Sequence, residues 1–147
     1  MGKEILVITF LSPNCPLCIN YTKTLMSVQN EFVEEDVKFM VVFAGPYQDE
    51  KEIYDFQNEY KLSMQGILDP DYRLTKALKA TVTPEVFVVS KTGIIAYSGA
   101  IDNWAYETGK KRAVVTSHFL RNAISKLVND SVPEPSQTEP VGCYIEI

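Results

Sequence analysis

Two runs dominated by apolar and β-branched residues, Glu4–Leu11 and Val37–Ala44, constrain this chain more than any other feature. Neither alternates polar with apolar residues, so each reads as a strand buried on both faces, as inside a parallel sheet. Between the runs the period changes. Leu17, Tyr21, Leu25, Val28 and Phe32 recur at three- and four-residue spacing, one face of a helix. Pro16 suits the first turn of that helix, where its missing N–H goes unused. Strand, helix and strand make a βαβ unit whose parallel pair needs a right-handed crossover.

The remaining elements follow from local signals. Asp49 caps a second helix bearing Ile53, Phe56 and Tyr60 on one face. Gly66–Leu68 is a short extended piece, Asp69-Pro70-Asp71 a turn, and Tyr72–Lys79 a short helix. Val86–Ser90 and Ile94–Ala100 read as a hairpin closed by Lys91-Thr92-Gly93. After an irregular stretch, Ile101 to Ala113, Thr116 caps a last helix with Leu120, Ala123, Ile124, Leu127 and Val128 as its stripe. This order predicts an α/β chain of the thioredoxin fold, a central mixed β-sheet with helices on both faces. Residues 1–131 form the domain. Residues 132–147 form a Pro-rich, extended tail carrying Cys143.

Composition narrows the partners. The 147 residues are 46% hydrophobic and 22% charged, enough to build a core, and the net charge of −5 argues against nucleic acid or anionic membrane. Lys110-Lys111-Arg112 is too short a basic cluster to reverse that, and reads as a solvated loop. No apolar run approaches the roughly 20 residues of a membrane span. Ile5–Leu11 is too short for a signal peptide, and Met1-Gly2 before it is compatible with a removed export signal. A bacterial envelope or periplasmic location is favoured in that case, a cytoplasmic one otherwise, and the chain is expected to be a monomer.

Chemistry concentrates at Cys15-Pro16-Leu17-Cys18, where the first strand breaks at Ser12-Pro13-Asn14 and the helix begins. A helix start offers free N–H groups and the positive end of the macrodipole. Both favour a thiolate at Cys15 over the ordinary thiol, which titrates near pH 8.5. Cys15 is then the attacking sulfur, and Cys18, one turn inside, the resolving one. Three cysteines and His118 lack the ligand spacing of a zinc site, so neither a metal nor another cofactor is expected. Thr83-Pro84 precedes a strand. A cis bond there turns the Thr83 backbone toward the cysteines, where it could pair with extended substrate. Cys143 is a candidate third redox thiol within reach: the stretch from Pro133, drawn out, spans about 31 Å. The domain's radius of gyration is near 15 Å. Pairing of Cys143 with Cys15, with Cys18 or between molecules stays open, as does an unpaired tail thiol.

Several segments resemble the thioredoxin-like superfamily, and more closely its redoxin branch. That branch includes alkyl hydroperoxide reductase/thiol-specific antioxidant relatives and envelope thiol–disulfide oxidoreductases. The matching pieces are Phe10-Leu11-Ser12-Pro13-Asn14-Cys15-Pro16, Leu68-Asp69-Pro70-Asp71, Ala80 to Val88, Gly99-Ala100-Ile101-Asp102-Asn103 and Pro140-Val141-Gly142-Cys143-Tyr144-Ile145. The resemblance implies Cys15 as attacking thiol and Pro84 as the cis-proline. Two departures stand out. Many relatives with the Val-Gly-Cys tail carry Ser at the position of Cys18, which would make the tail cysteine the partner of the first. The buried acid expected six residues before Cys15 is Thr9, leaving water or Glu85 as proton acceptor.

The expected activity is thiol–disulfide exchange with protein thiols and disulfides, reset by an unidentified redox partner. One alternative is a thiol peroxidase with Cys15 as peroxidatic thiol, although Ile8 stands where that pattern wants proline. Another is a non-catalytic module holding Cu(I) or acting as an adaptor. Trp104 and Tyr106 are expected to pack rather than to bind.

Overall fold

The computed structural model describes residues 4–107 and 110–147. Met1-Gly2 and the side chain of Tyr106 lie outside the described residues. The chain runs β1 (Ile5–Phe10), α1 (Pro16–Glu31), β2 (Val37–Ala44), α2 (Glu50–Glu59), β3 (Gln65–Asp69), α3 (Arg73–Leu78), β4 (Val82–Thr83), β5 (Glu85–Val89) and β6 (Ile95–Gly99). It continues through β7 (Ala105–Glu107), β8 (Lys110–Lys111), α4 (Phe119–Val128) and β9 (Cys143–Tyr144). The main sheet has the order β3-β2-β1-β5-β6. β1 and β3 run parallel to β2, whereas β5 is antiparallel to β1 and to β6. This is the mixed α/β sheet that the two apolar runs require, with β1 and β2 inside it.

Alternation along those strands splits the apolar residues between two cores. Val7, Phe39, Val41, Phe43, Val86 and Val88 face one side, where α1, α2 and α4 pack through residues such as Leu25, Phe56 and Ile124. Ile8, Phe10, Val42 and Phe87 face the other, covered by Leu74 and Leu78 of α3 and by Ile145 of the tail. The tail therefore contributes to a core. Ser98 donates its N–H to the Ser136 carbonyl and accepts one from Thr138. The Thr138 hydroxyl bonds Tyr97 Oη at 2.6 Å and accepts from the Ala100 N–H at 2.9 Å.

The helix starts are held in different ways. Asp49 caps α2 as expected, in a reciprocal box with Glu52. At α4 the cap position belongs to His118, which makes no side-chain cap bond. Thr116 instead takes a hydrogen bond from Asn103 Nδ2, and Asn103 Oδ1 accepts from the N–H groups of Thr116 and Ser117. The stretch expected to be irregular holds the small β7–β8 hairpin. The basic cluster helps to pin it: Lys111 Nζ lies 5.0 Å from the Trp104 ring centre, and Arg112 Nε donates to the Asn103 carbonyl. Trp104 itself packs edge-on against Tyr21 of α1. Asp102 links the same two elements, accepting from Tyr21 Oη at 2.6 Å and from the Trp104 N–H. Among the described residues no helix is long and apolar enough to cross a membrane.

Candidate active site

β1 ends where Leu11 donates its N–H to the Val42 carbonyl, and the chain then turns through Ser12-Pro13-Asn14. The Cys15 N–H returns to the Ser12 carbonyl and closes that turn. Cys15 is left at the cap position of α1 in extended conformation, with Pro16 at the helix start. No acidic residue occupies the first turn, so the 16-residue helix carries no carboxylate of its own there to offset its positive end. The cap position is where a side chain accepts the free N–H groups of the first turn, and a thiolate at Cys15 is suited to do so.

Two carboxylates, Asp69 and Glu85, hold the backbone on either side of α3. Asp69 ends β3 and caps α3, accepting from the N–H groups of Leu74 and Thr75 and from the Thr75 hydroxyl. Burial alone would raise its carboxyl, but these hydrogen bonds hold it below the usual range. Beyond α3, Glu85 turns back and accepts from the N–H groups of Thr81 and Val82 through one oxygen. Its carboxylate thus holds the backbone of the Thr81–Val82 segment. The Thr83–Pro84 bond is cis, and both residues are buried.

Thr83 meets all three cysteines. Its carbonyl oxygen lies 3.4 Å from Cys15 Sγ. Its hydroxyl hydrogen-bonds Cys18, which also accepts the Ser12 N–H at 3.4 Å. Its backbone pairs with Cys143, in an antiparallel ladder that sets Val82 against Tyr144. Cys15 is joined to Cys143 by a disulfide across 128 residues, with Cα atoms 6.2 Å apart, inside the normal span for such a bond. Cys18 remains a free, buried thiol. Burial pushes it up to about 11, against the smaller opposing effect of the Thr83 and Ser12 hydrogen bonds.

The structure therefore brings Cys15, Cys18, Thr83, Pro84 and Cys143 together, and of the open pairings for Cys143 it makes the one with Cys15. His118 lies elsewhere, lining a shallow depression with Lys23, Glu31 and Arg121. Among the described residues no three His, Cys, Asp or Glu side chains are grouped to hold a metal. Sequence reasoning passed over the residues that seat the tail. Ile145 donates its N–H to the Thr81 carbonyl, and Tyr72 Oη donates to the Glu146 carbonyl at 2.7 Å. Gly142 is a further omission: a Cβ there would run into the Thr83 carbonyl group. Its place before Cys143 was visible, but its neighbour across space was not.

Solved structures share this architecture. A hypothetical protein from Sinorhizobium meliloti 1021 is 19% identical with a TM-score of 0.85, over 98% of this chain and 80% of that one. An uncharacterized conserved protein from Geobacillus kaustophilus is 21% identical with a TM-score of 0.85, over 98% and 77%. The thioredoxin domain of a thiol–disulfide oxidoreductase from Bacteroides vulgatus is 17% identical with a TM-score of 0.64, over 87% and 81%. Identities this low show the shared fold. No curated protein is significantly similar in sequence. The family model described as Redoxin matches residues 1–108, a span that holds the Cys15 helix start and the Thr83–Pro84 segment, and the chain belongs to the Redoxin family.

Proposed function

We propose that this protein is a thiol–disulfide oxidoreductase. Cys15 exchanges with substrate, Cys18 and Cys143 are its two internal partners, and Thr83 with Pro84 is the edge that receives substrate. The observation that carries this is the contact of one residue, Thr83, with all three cysteines at the start of α1. In the reducing direction the Cys15 thiolate attacks one sulfur of a substrate disulfide and expels the other as a thiolate. A second internal thiolate then attacks Cys15 Sγ and releases the remaining substrate sulfur. The substrate gains two electrons and two protons, and the protein is left with one internal disulfide. The Cys15–Cys143 bond is such a product. Run backwards, the same steps oxidise a substrate dithiol.

The substrates are protein thiols and disulfides, and a separate redox partner resets the pair. We further propose a monomer whose resting disulfide suits an oxidising compartment such as the bacterial envelope. Residues 1–131 act as the catalytic domain and 132–147 as its redox-active tail. The test is to offer the fully reduced protein a protein disulfide and, separately, hydrogen peroxide. Turnover of the disulfide that is lost in Cys15→Ser is expected. Faster turnover of peroxide than of disulfide would make the protein a thiol peroxidase instead.

A further inference from the structure

The tail occupies the groove beside Cys15, and its fit there is selective. Thr83 and Val82 pair with Cys143 and Tyr144, and Thr81 accepts the Ile145 N–H, so the extended backbone is held from the reacting cysteine through the two residues after it. Directly before Cys143 the chain passes so close to Thr83 that a Cβ on Gly142 would collide with the carbonyl group. Gly142 has no positive φ among the glycines that do. Space, and not backbone conformation, demands glycine there. After the cysteine, Tyr144 is 83% exposed and touches little, whereas Ile145 packs on the core of Ile8, Phe10 and Phe87. Any other polypeptide presenting a sulfur to Cys15 along the Thr83 edge meets the same walls, because they belong to the domain and not to the tail.

We infer that the docked tail is an imprint of the substrate. The groove accepts an extended protein segment with glycine immediately before the reacting cysteine and an aliphatic residue two positions after it. It accepts that segment only when the tail is off. This stands on Cys15 being the exchanging sulfur. Tail and substrate exclude one another on a single edge, so the Cys15–Cys143 disulfide also shields Cys15 from sulfurs in the wrong setting. Once the tail leaves, the Cys15 thiolate attacks the substrate cysteine of a matching disulfide. It forms the mixed disulfide and expels the other sulfur as a thiolate.

The test uses the full chain carrying Cys18→Ser and Cys143→Ser, which leaves Cys15 as the sole thiol. It is mixed with acetylated Val-Gly-Cys-Tyr-Ile amide whose cysteine bears a coloured thionitrobenzoate leaving group. Parallel peptides place Ala or Val before the cysteine, Ser in place of Tyr, or Ser in place of Ile. Rates are divided by those of each peptide with glutathione. The Gly peptide should react about tenfold or more faster than the Ala peptide, the size of effect that a forced methyl group produces. The Ile→Ser peptide should be slower and the Tyr→Ser peptide unchanged. Equal rates for Gly and Ala peptides, all faster than with glutathione, would overturn the imprint and leave Cys15 as the exchanging sulfur. No peptide reacting faster than with glutathione would overturn both. Gly142→Ala in the otherwise intact chain reads the same contact from within. It should lower the equilibrium constant for the Cys15–Cys143 bond against glutathione about tenfold, and an unchanged constant would overturn the imprint.

Discussion

Cys18 and Cys143 approach Cys15 from opposite kinds of structure. Cys18 stands in the first turn of a helix, 0% exposed, its thiol pushed up to about 11 by burial. Cys143 is exposed on a two-residue strand that a few polar contacts hold in place. The first sulfur is always near and seldom ionised. The second is open to solvent but near only while the tail is docked. A thiolate must be both formed and positioned before it can attack, and here each rival has one of those properties. On the proposed roles of the three cysteines, docking of the tail is what would decide which disulfide the protein holds.

The largest effect expected from breaking this arrangement is a complete change of partner. Oxidised wild-type protein, alkylated under denaturing conditions and mapped by peptide mass, should show Cys15 joined to Cys143 and Cys18 alkylated. Cys143→Ser should instead join Cys15 to Cys18. Wild-type protein that maps as Cys15–Cys18 would reverse the comparison.

Ionisation of Cys18 sharpens it further. In the oxidised protein, a Cys18 thiolate attacking Cys15 Sγ forms Cys15–Cys18 and expels Cys143 as a thiolate. With the Cys18 thiol near 11, the thiolate fraction, and with it the rate of this swap, should rise about tenfold per pH unit from 7 to 10. Iodoacetamide added to oxidised protein would read it as carboxamidomethylation of Cys143. A flat profile would mean that Cys18 does not attack.

The same displacement makes stability depend on pH. Folding favours the neutral Cys18 thiol, so this contribution is whole below the ordinary thiol range and is lost as pH rises toward about 11. Between pH 8 and 10.5 the oxidised wild type should lose about 2 kcal/mol more stability in urea than oxidised Cys18→Ser. Equal losses would place Cys18 in a more solvated site than the structure does.

These contrasts also mark how far the sequence could be read. The sheet was legible because Glu4–Leu11 and Val37–Ala44 admit few alternatives, and α1 because its apolar period and Pro16 agree. The place of Cys15 at a strand-to-helix junction was legible too, and it caps the start of α1. The pairing of Cys143 was not legible, since chain reach permits several partners and only the β4–β9 register selects one. Thr116 looked like a cap because local spacing favours it, but Asn103, thirteen residues earlier, holds the backbone there. The hold of Glu85 on the backbone was not legible either: one of its oxygens accepts from the N–H groups of Thr81 and Val82. What was missed in each case is a contact between segments distant in sequence or a bend that makes one.

The smallest effects test whether the tail's anchors, and not its cysteine alone, set the balance. Thr138 joins the tail to β6 through one hydroxyl that bonds Tyr97 Oη and the Ala100 N–H. Two such bonds are together worth about 1–2 kcal/mol. Thr138→Ala should therefore lower the equilibrium constant for the Cys15–Cys143 bond against glutathione about tenfold. Tyr72 offers the far end of the tail one exposed hydrogen bond, to the Glu146 carbonyl. Tyr72→Phe should lower the same constant only about two- to threefold, as for a bond worth about 0.5 kcal/mol. Neither substitution touches the first turn of α1, so in a Cys143→Ser background the Cys15–Cys18 constant should stay where it was. If both constants fell together, the anchors would be acting through the domain as a whole, and the tail would no longer be a separately docked arm.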